Sequence, residues 1–129
     1  MMLVMAMILA SITAHQSSQT QFEGRWVALG PTRAITGMTI SQVAGELVVD
    51  AAGACTPVDC QWSRQRLSLF RPVDGNAFNR AVAVWNTEWQ TTYATLTADD
   101  GALVVELYRV YTDNSGRSNV YASTRLIRQ

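Results

Sequence analysis

The chain contains no lysine: all ten of its basic residues are arginine. No side-chain amine is therefore on hand for Schiff-base chemistry. Histidine occurs once, as His15, close to the N-terminus. Its isolation removes Ser-His-Asp and Cys-His nucleophilic mechanisms and histidine-ligated zinc. Cysteine occurs only as Cys55 and Cys60, too few for a thiolate metal site. Charge is also sparse, with ten basic residues against ten acidic ones and 16% charged overall. No basic stripe can track a phosphate backbone, so nucleic acid is not an expected partner. Paired carboxylates are the remaining route to catalysis. Glu88, Glu106 and Asp59 are candidates, yet nothing in the sequence brings two of them together. The expectation is no catalytic residue, no metal ligand, no cofactor and no enzymatic activity.

What the 129 residues do hold is enough for one domain with one core. Residues 1–14 read MMLVMAMILASITA, apolar and uncharged. At about 1.5 Å per residue this run is too short to cross a bilayer core as a helix. Its length suits the apolar region of a signal peptide, with cleavage after Ala14. The basic residue that usually precedes such a region is missing. Residues 15–21 are polar and read as a mature tail, and residues 22–129 as the domain. The expected destination is secreted or periplasmic, with no membrane span once the signal is removed.

Past Gln21 no sustained helical repeat of apolar residues is present. Short runs rich in Val, Thr, Tyr, Trp and Leu alternate with turn residues. Strands are expected at residues 22–29, 34–43, 46–52, 61–71, 78–85, 88–98, 102–112 and 118–127. Ala44-Gly45, Asp74-Gly75-Asn76, Asp99-Asp100-Gly101 and Asp113-Asn114-Ser115-Gly116 mark turns between them. Leu103, Val105 and Leu107 share one face of their strand, and Val104, Glu106 and Tyr108 the other. About eight strands with short connections predict an all-β fold, an antiparallel up-and-down barrel, with a two-sheet sandwich as the alternative.

Cys55-Thr56-Pro57-Val58-Asp59-Cys60 closes on itself around a proline. In an exported chain the expected state is a disulfide staple. A redox or metal pair is disfavoured by the spacing and by the absence of further ligands. Asp113 to Asn119 invites a calcium reading, but the segment is shorter than an EF-hand loop and lacks a distal Glu. A turn with Gly116 in the left-handed region, and with Arg117 reaching Asp113 or loop carbonyls, accounts for it.

Gly24-Arg25-Trp26 at the start of the first strand resembles the opening of calycins, the barrel superfamily that includes lipocalins. The resemblance implies a structural Trp26 at the closed end of the barrel, with an arginine of the last strand, Arg125 or Arg128, over its ring. A wider likeness covers most of the mature chain. The stretches 53–62 (GACTPVDCQW), 111–119 (YTDNSGRSN) and 32–36 (TRAIT) resemble a family of small exported bacterial domains without assigned function. The pattern of that family runs G-K-C-x-P-x-D-C-x-W-G, then F-T-D-x-S-G-R-S. Ala54, Ser63, Ala34 and Tyr111 depart from it, and the family implies no activity.

The functional expectation is a small-molecule-binding module holding an apolar or amphipathic ligand. The alternative is a protein-interaction or inhibitor domain whose barrel is filled by side chains. For the first, the site belongs inside the barrel at the end opposite Trp26. That end should collect the turns at Gly30-Pro31, the cysteine loop, Asn86-Thr87 and residues 113–116, and Trp62, Trp85 and Trp89, which flank two of them, are the candidate ligand contacts. Core packing or a surface aromatic ladder is the plainer explanation for Trp85, Trp89 and Tyr93.

Overall fold

The computed structural model describes residues 21–129. The expected signal segment, His15 and the polar tail up to residue 20 lie outside the described residues. Ten strands form: β1 (Gly24–Ala28), β2 (Ile35–Val43), β3 (Glu46–Gly53), β4 (Cys60–Gln61), β5 (Gln65–Arg66), β6 (Ser68–Phe70), β7 (Arg80–Asn86), β8 (Gln90–Asp99), β9 (Ala102–Tyr111) and β10 (Val120–Arg128). Among the described residues no helix forms, and none is therefore long and apolar enough to cross a membrane.

All ten strands belong to one antiparallel sheet, ordered β4-β3-β2-β1-β10-β9-β8-β7-β6, with β5 also on β3. The two-sheet sandwich is thus not what the pairing describes. The connections are mostly hairpins, as the turn residues predict. Ala44-Gly45 and Asp100-Gly101 each hold two successive positive φ angles (53° and 82°, then 50° and 79°) between paired strands. That backbone matches the twist of the flanking strands, and glycine takes the second position without strain. First and last strands lie side by side, Trp26 opposite Arg128 and Ala28 opposite Leu126.

Seven of the eight expected strands form as single elements, and residues 61–71 break into three. The reason is a change of partner. Trp62 N–H bonds Ala51 C=O and Leu67 N–H bonds Leu47 C=O, so this part of the segment follows β3. From the very next residue, Ser68, Leu69 and Phe70 pair with Val82, Ala81 and Arg80 of β7. Leu67 is buried at the changeover. The ladder itself runs from β4 and β5 at one end to β6 at the other and is not a closed ring of hydrogen bonds.

Alternation places one side chain in two on the inner face. Leu47, Val49 and Ala51 of β3, Ala81, Ala83 and Trp85 of β7, Ala94 and Leu96 of β8, and Leu103, Val105 and Leu107 of β9 meet there with Met38, Ile40 and Leu126. These side chains fill the middle of the fold. At one end Trp26, 1% exposed, donates its indole N–H to Phe22 C=O at 2.9 Å. The Arg128 guanidinium lies over its ring at 4.6 Å. Arg125 is not the residue that covers it. Three positions away on an extended strand, Arg125 points to the opposite face, where it pairs with Asp99 at 3.1 Å.

Candidate functional site

Position 36 in β2 is a bulge: Ile35 pairs with Gly53 and Gly37 with Ala52. A bulge re-aims its side chain, and the Thr36 hydroxyl donates to Asp59 at 2.8 Å. Ala54 N–H also bonds Ala34 C=O. Two of the resembling stretches, 32–36 and 53–62, are therefore neighbours in space. Cys55 and Cys60 are bonded to one another, their Cα atoms 5.5 Å apart. This anchored loop delivers Trp62 to the inside of the sheet. A Cβ on Gly53 would stand 2.8 Å from Trp62 Nε1, so the indole lies against bare backbone.

Trp62 meets Trp85 edge to face, with centroids 5.1 Å apart and planes at 80°. Trp85 is buried, and its N–H donates to Ser63 C=O at 2.6 Å. The two indoles form an aromatic corner of a pocket of about 250 Å³ whose other walls are Gln61, Ser63, Thr87, Gln90, Thr92 and Arg109. Arg109 lies seven residues along β9 from Ala102, the neighbour of Ile127 at the Trp26 end. At about 3.3 Å per residue this is over 20 Å, the opposite end of the molecule.

Inward alternation along β9 puts Arg109 next after Leu103, Val105 and Leu107. Along β8 the same alternation turns Gln90 and Thr92 inward. Arg109 Nε and Gln90 Oε1 are buried without a hydrogen-bond partner, and they are the two such side-chain atoms among the described residues. No Asp or Glu lines the pocket. A buried donor and a buried acceptor without partners are both costly, and both sit in this cavity.

Trp62 and Trp85 thus line one pocket, and Trp89 does not. Trp89 precedes β8 and is 44% exposed, stacked on Tyr111 at 6.3 Å. Arg117 covers that pair, 4.1 Å from the Tyr111 ring and 5.3 Å from Trp89. It is held by Asp113 at 2.8 Å in a loop where Asn114 and Gly116 have positive φ. The cysteine loop and the Asn86-Thr87 corner adjoin the pocket. Gly30-Pro31 instead borders a separate depression with Ser123 to Arg125.

The carboxylates considered for catalysis are dispersed. Asp59 accepts from Thr36, and Glu106 accepts from the Tyr108 hydroxyl on the outer face at 2.7 Å. Glu88 lies exposed between β7 and β8. Asp50 shares a second depression with Asp59, but Arg64 donates to its carboxylate and holds it below the usual acid range. Among the described residues no group of three or more His, Cys, Asp or Glu is arranged to hold a metal ion.

Sequence reasoning missed Arg109, Gln90 and Thr92. The signal for Arg109 was present: continuing the Leu103-Val105-Leu107 face by one step reaches it. No family model matches the chain, and no curated protein or solved structure is significantly similar to it.

Proposed function

We propose that this chain is an exported, non-catalytic module that binds a small amphipathic molecule in the pocket walled by Trp62 and Trp85. The carrying observation is the combination in one cavity of an aromatic corner with two buried polar atoms that no group among the described residues satisfies. Apolar walls with a few convergent polar groups are the usual composition of a ligand site.

A calycin-like barrel is part of this reading. It is supported by the pairing of first and last strands and by the 65–70 segment, which pairs with β3 through β5 and with β7 through β6. A shared segment of this kind draws the two ends of the sheet together. The arginine over Trp26 agrees with the calycin likeness, with Arg128 in that role. Export is supported by the bonded cysteine pair, which suits an oxidising compartment, and by the short apolar run at the start of the sequence.

A second reading has its own support. Tyr93, Tyr108 and Tyr121 stand opposite one another across β8, β9 and β10 on the outer face, 43%, 42% and 74% exposed. Such a row suits a protein-interaction or inhibitor domain. Titrating intrinsic tryptophan fluorescence with a panel of amphipathic compounds separates the two. Saturable change that is lost in Trp62→Ala supports the binding module. No saturable change across the panel leaves the interaction domain as the better reading.

A further inference from the structure

We propose that the ligand is a small planar carboxylate whose anionic group sits on Arg109. This rests on the binding reading above and names its ligand class.

The charge of the pocket leads to it. An arginine side chain keeps its charge in a protein, and its fork of N–H donors matches the two oxygens of a carboxylate. Arg109 carries a buried, unbonded Nε and forms no ion pair among the described residues. The arginines 64, 66, 117 and 125 all pair with carboxylates elsewhere. With no Asp or Glu in its walls, the pocket holds one positive charge and no counter-charge of its own.

The size and remaining groups narrow the anion. One guanidinium suits a singly charged head better than a phosphate or sulfate, which needs more donors. The other unsatisfied atom, Gln90 Oε1, is an acceptor. It would take a hydroxyl or N–H placed beside the carboxylate. The volume of about 250 Å³ lies at the small end for a ligand site. Two indoles at 80° offer one ring face and one ring edge, a corner into which a flat ring packs. A compact aromatic acid with a neighbouring donor meets all of these conditions.

The test uses calorimetric titration of the mature domain with three probes: 2-aminobenzoate, benzoate and the neutral benzamide. The amine of 2-aminobenzoate keeps one N–H free beside its carboxylate, so charge-assisted hydrogen bonds predict that it binds most tightly and benzamide at least about tenfold more weakly. Arg109→Gln should erase the preference for the acids while leaving benzamide affinity unchanged. Its melting temperature, measured alongside, should not fall, because the substitution removes a buried guanidinium nitrogen that has no partner. Gln90→Leu should remove the advantage of 2-aminobenzoate over benzoate. If benzamide binds as well as the acids, or Arg109→Gln still prefers them, the carboxylate inference fails and the binding module stands. If none of the three binds, while larger neutral amphiphiles saturate tryptophan fluorescence, the inference alone fails. If nothing binds in either experiment, both fail.

Discussion

The indole of Trp62 meets that of Trp85 at 80° across 5.1 Å, although 23 positions separate the two residues in the chain. The contact joins the cysteine-loop segment to β7, strands that do not pair with one another. Gly53 permits it, since a Cβ there would fall 2.8 Å from Trp62 Nε1. Gly53→Ala should therefore push the indole off its seat, weaken the near-ultraviolet circular dichroism of the pair and destabilise the domain by about 1–3 kcal/mol. An unchanged spectrum in this variant would show that Trp62 does not depend on the bare backbone beneath it.

The disulfide between Cys55 and Cys60 closes a very short loop. Chain-entropy reasoning assigns such a loop about 2 kcal/mol. Replacing both cysteines with serine should lower unfolding free energy in denaturant by that amount and keep the β-sheet spectrum. The Thr36–Asp59 and Ala54–Ala34 hydrogen bonds remain to hold the loop. A collapse of the far-ultraviolet signal would mean that the staple, rather than these bonds, carries the local fold.

At the other end of the molecule the register separates two arginines that the sequence left as alternatives. Arg128 stands opposite Trp26 and covers its ring, whereas Arg125 forms an exposed pair with Asp99. Arg128→Ala should cost about 1–2 kcal/mol through lost cation–π contact and packing on a buried ring. Arg125→Ala should cost less than about 1 kcal/mol, as exposed ion pairs do. Thermal or denaturant unfolding of the two variants side by side checks this, and equal losses would contradict the assignment.

Strand positions were legible because β-branched and aromatic runs ended at residues with strong turn chemistry. Ala44-Gly45 and Asp100-Gly101 fall between strands as read. The break at 61–71 was not legible, because it comes from a change of partner, from β3 to β7, that no local pattern records. Trp89 stands apart from the pocket of Trp62 and Trp85 for a related reason. Its strand was expected from residue 88, whereas β8 begins only at Gln90, so Trp89 stays on the corner after β7 instead of entering the strand. Arg109 was overlooked because an arginine in a strand is ordinarily taken as solvent-facing. Only the positions of its inward neighbours, read as a continuing face, reveal where it points.

The loop after β9 should respond to acid in a defined direction. The Ser115 hydroxyl and then the Arg117 guanidinium hold the Asp113 carboxyl below its ordinary value of 3.8. Since the folded state favours the charged form, the contribution of Asp113 is fully present above that ordinary value. It fades as pH falls through the lower, folded-state value. Protonation weakens the Asp113–Arg117 pair at 2.8 Å and frees the guanidinium that covers Tyr111 and Trp89. Trp89 is exposed, so a change in its cover should alter its emission. A variant carrying Trp89 as the sole emitter in that region, with Trp62 and Trp85 changed to Phe, should show an emission transition with a midpoint below 3.8. Asp113→Asn in the same background should abolish the transition and give at neutral pH the emission that the parent shows in acid. Glu88 adjoins Trp89 in the chain and is the group best placed to mimic the effect, so Glu88→Gln should leave the midpoint unmoved. A midpoint at or above 3.8, or a transition that survives Asp113→Asn, would show that Asp113 does not position Arg117 over the aromatic pair.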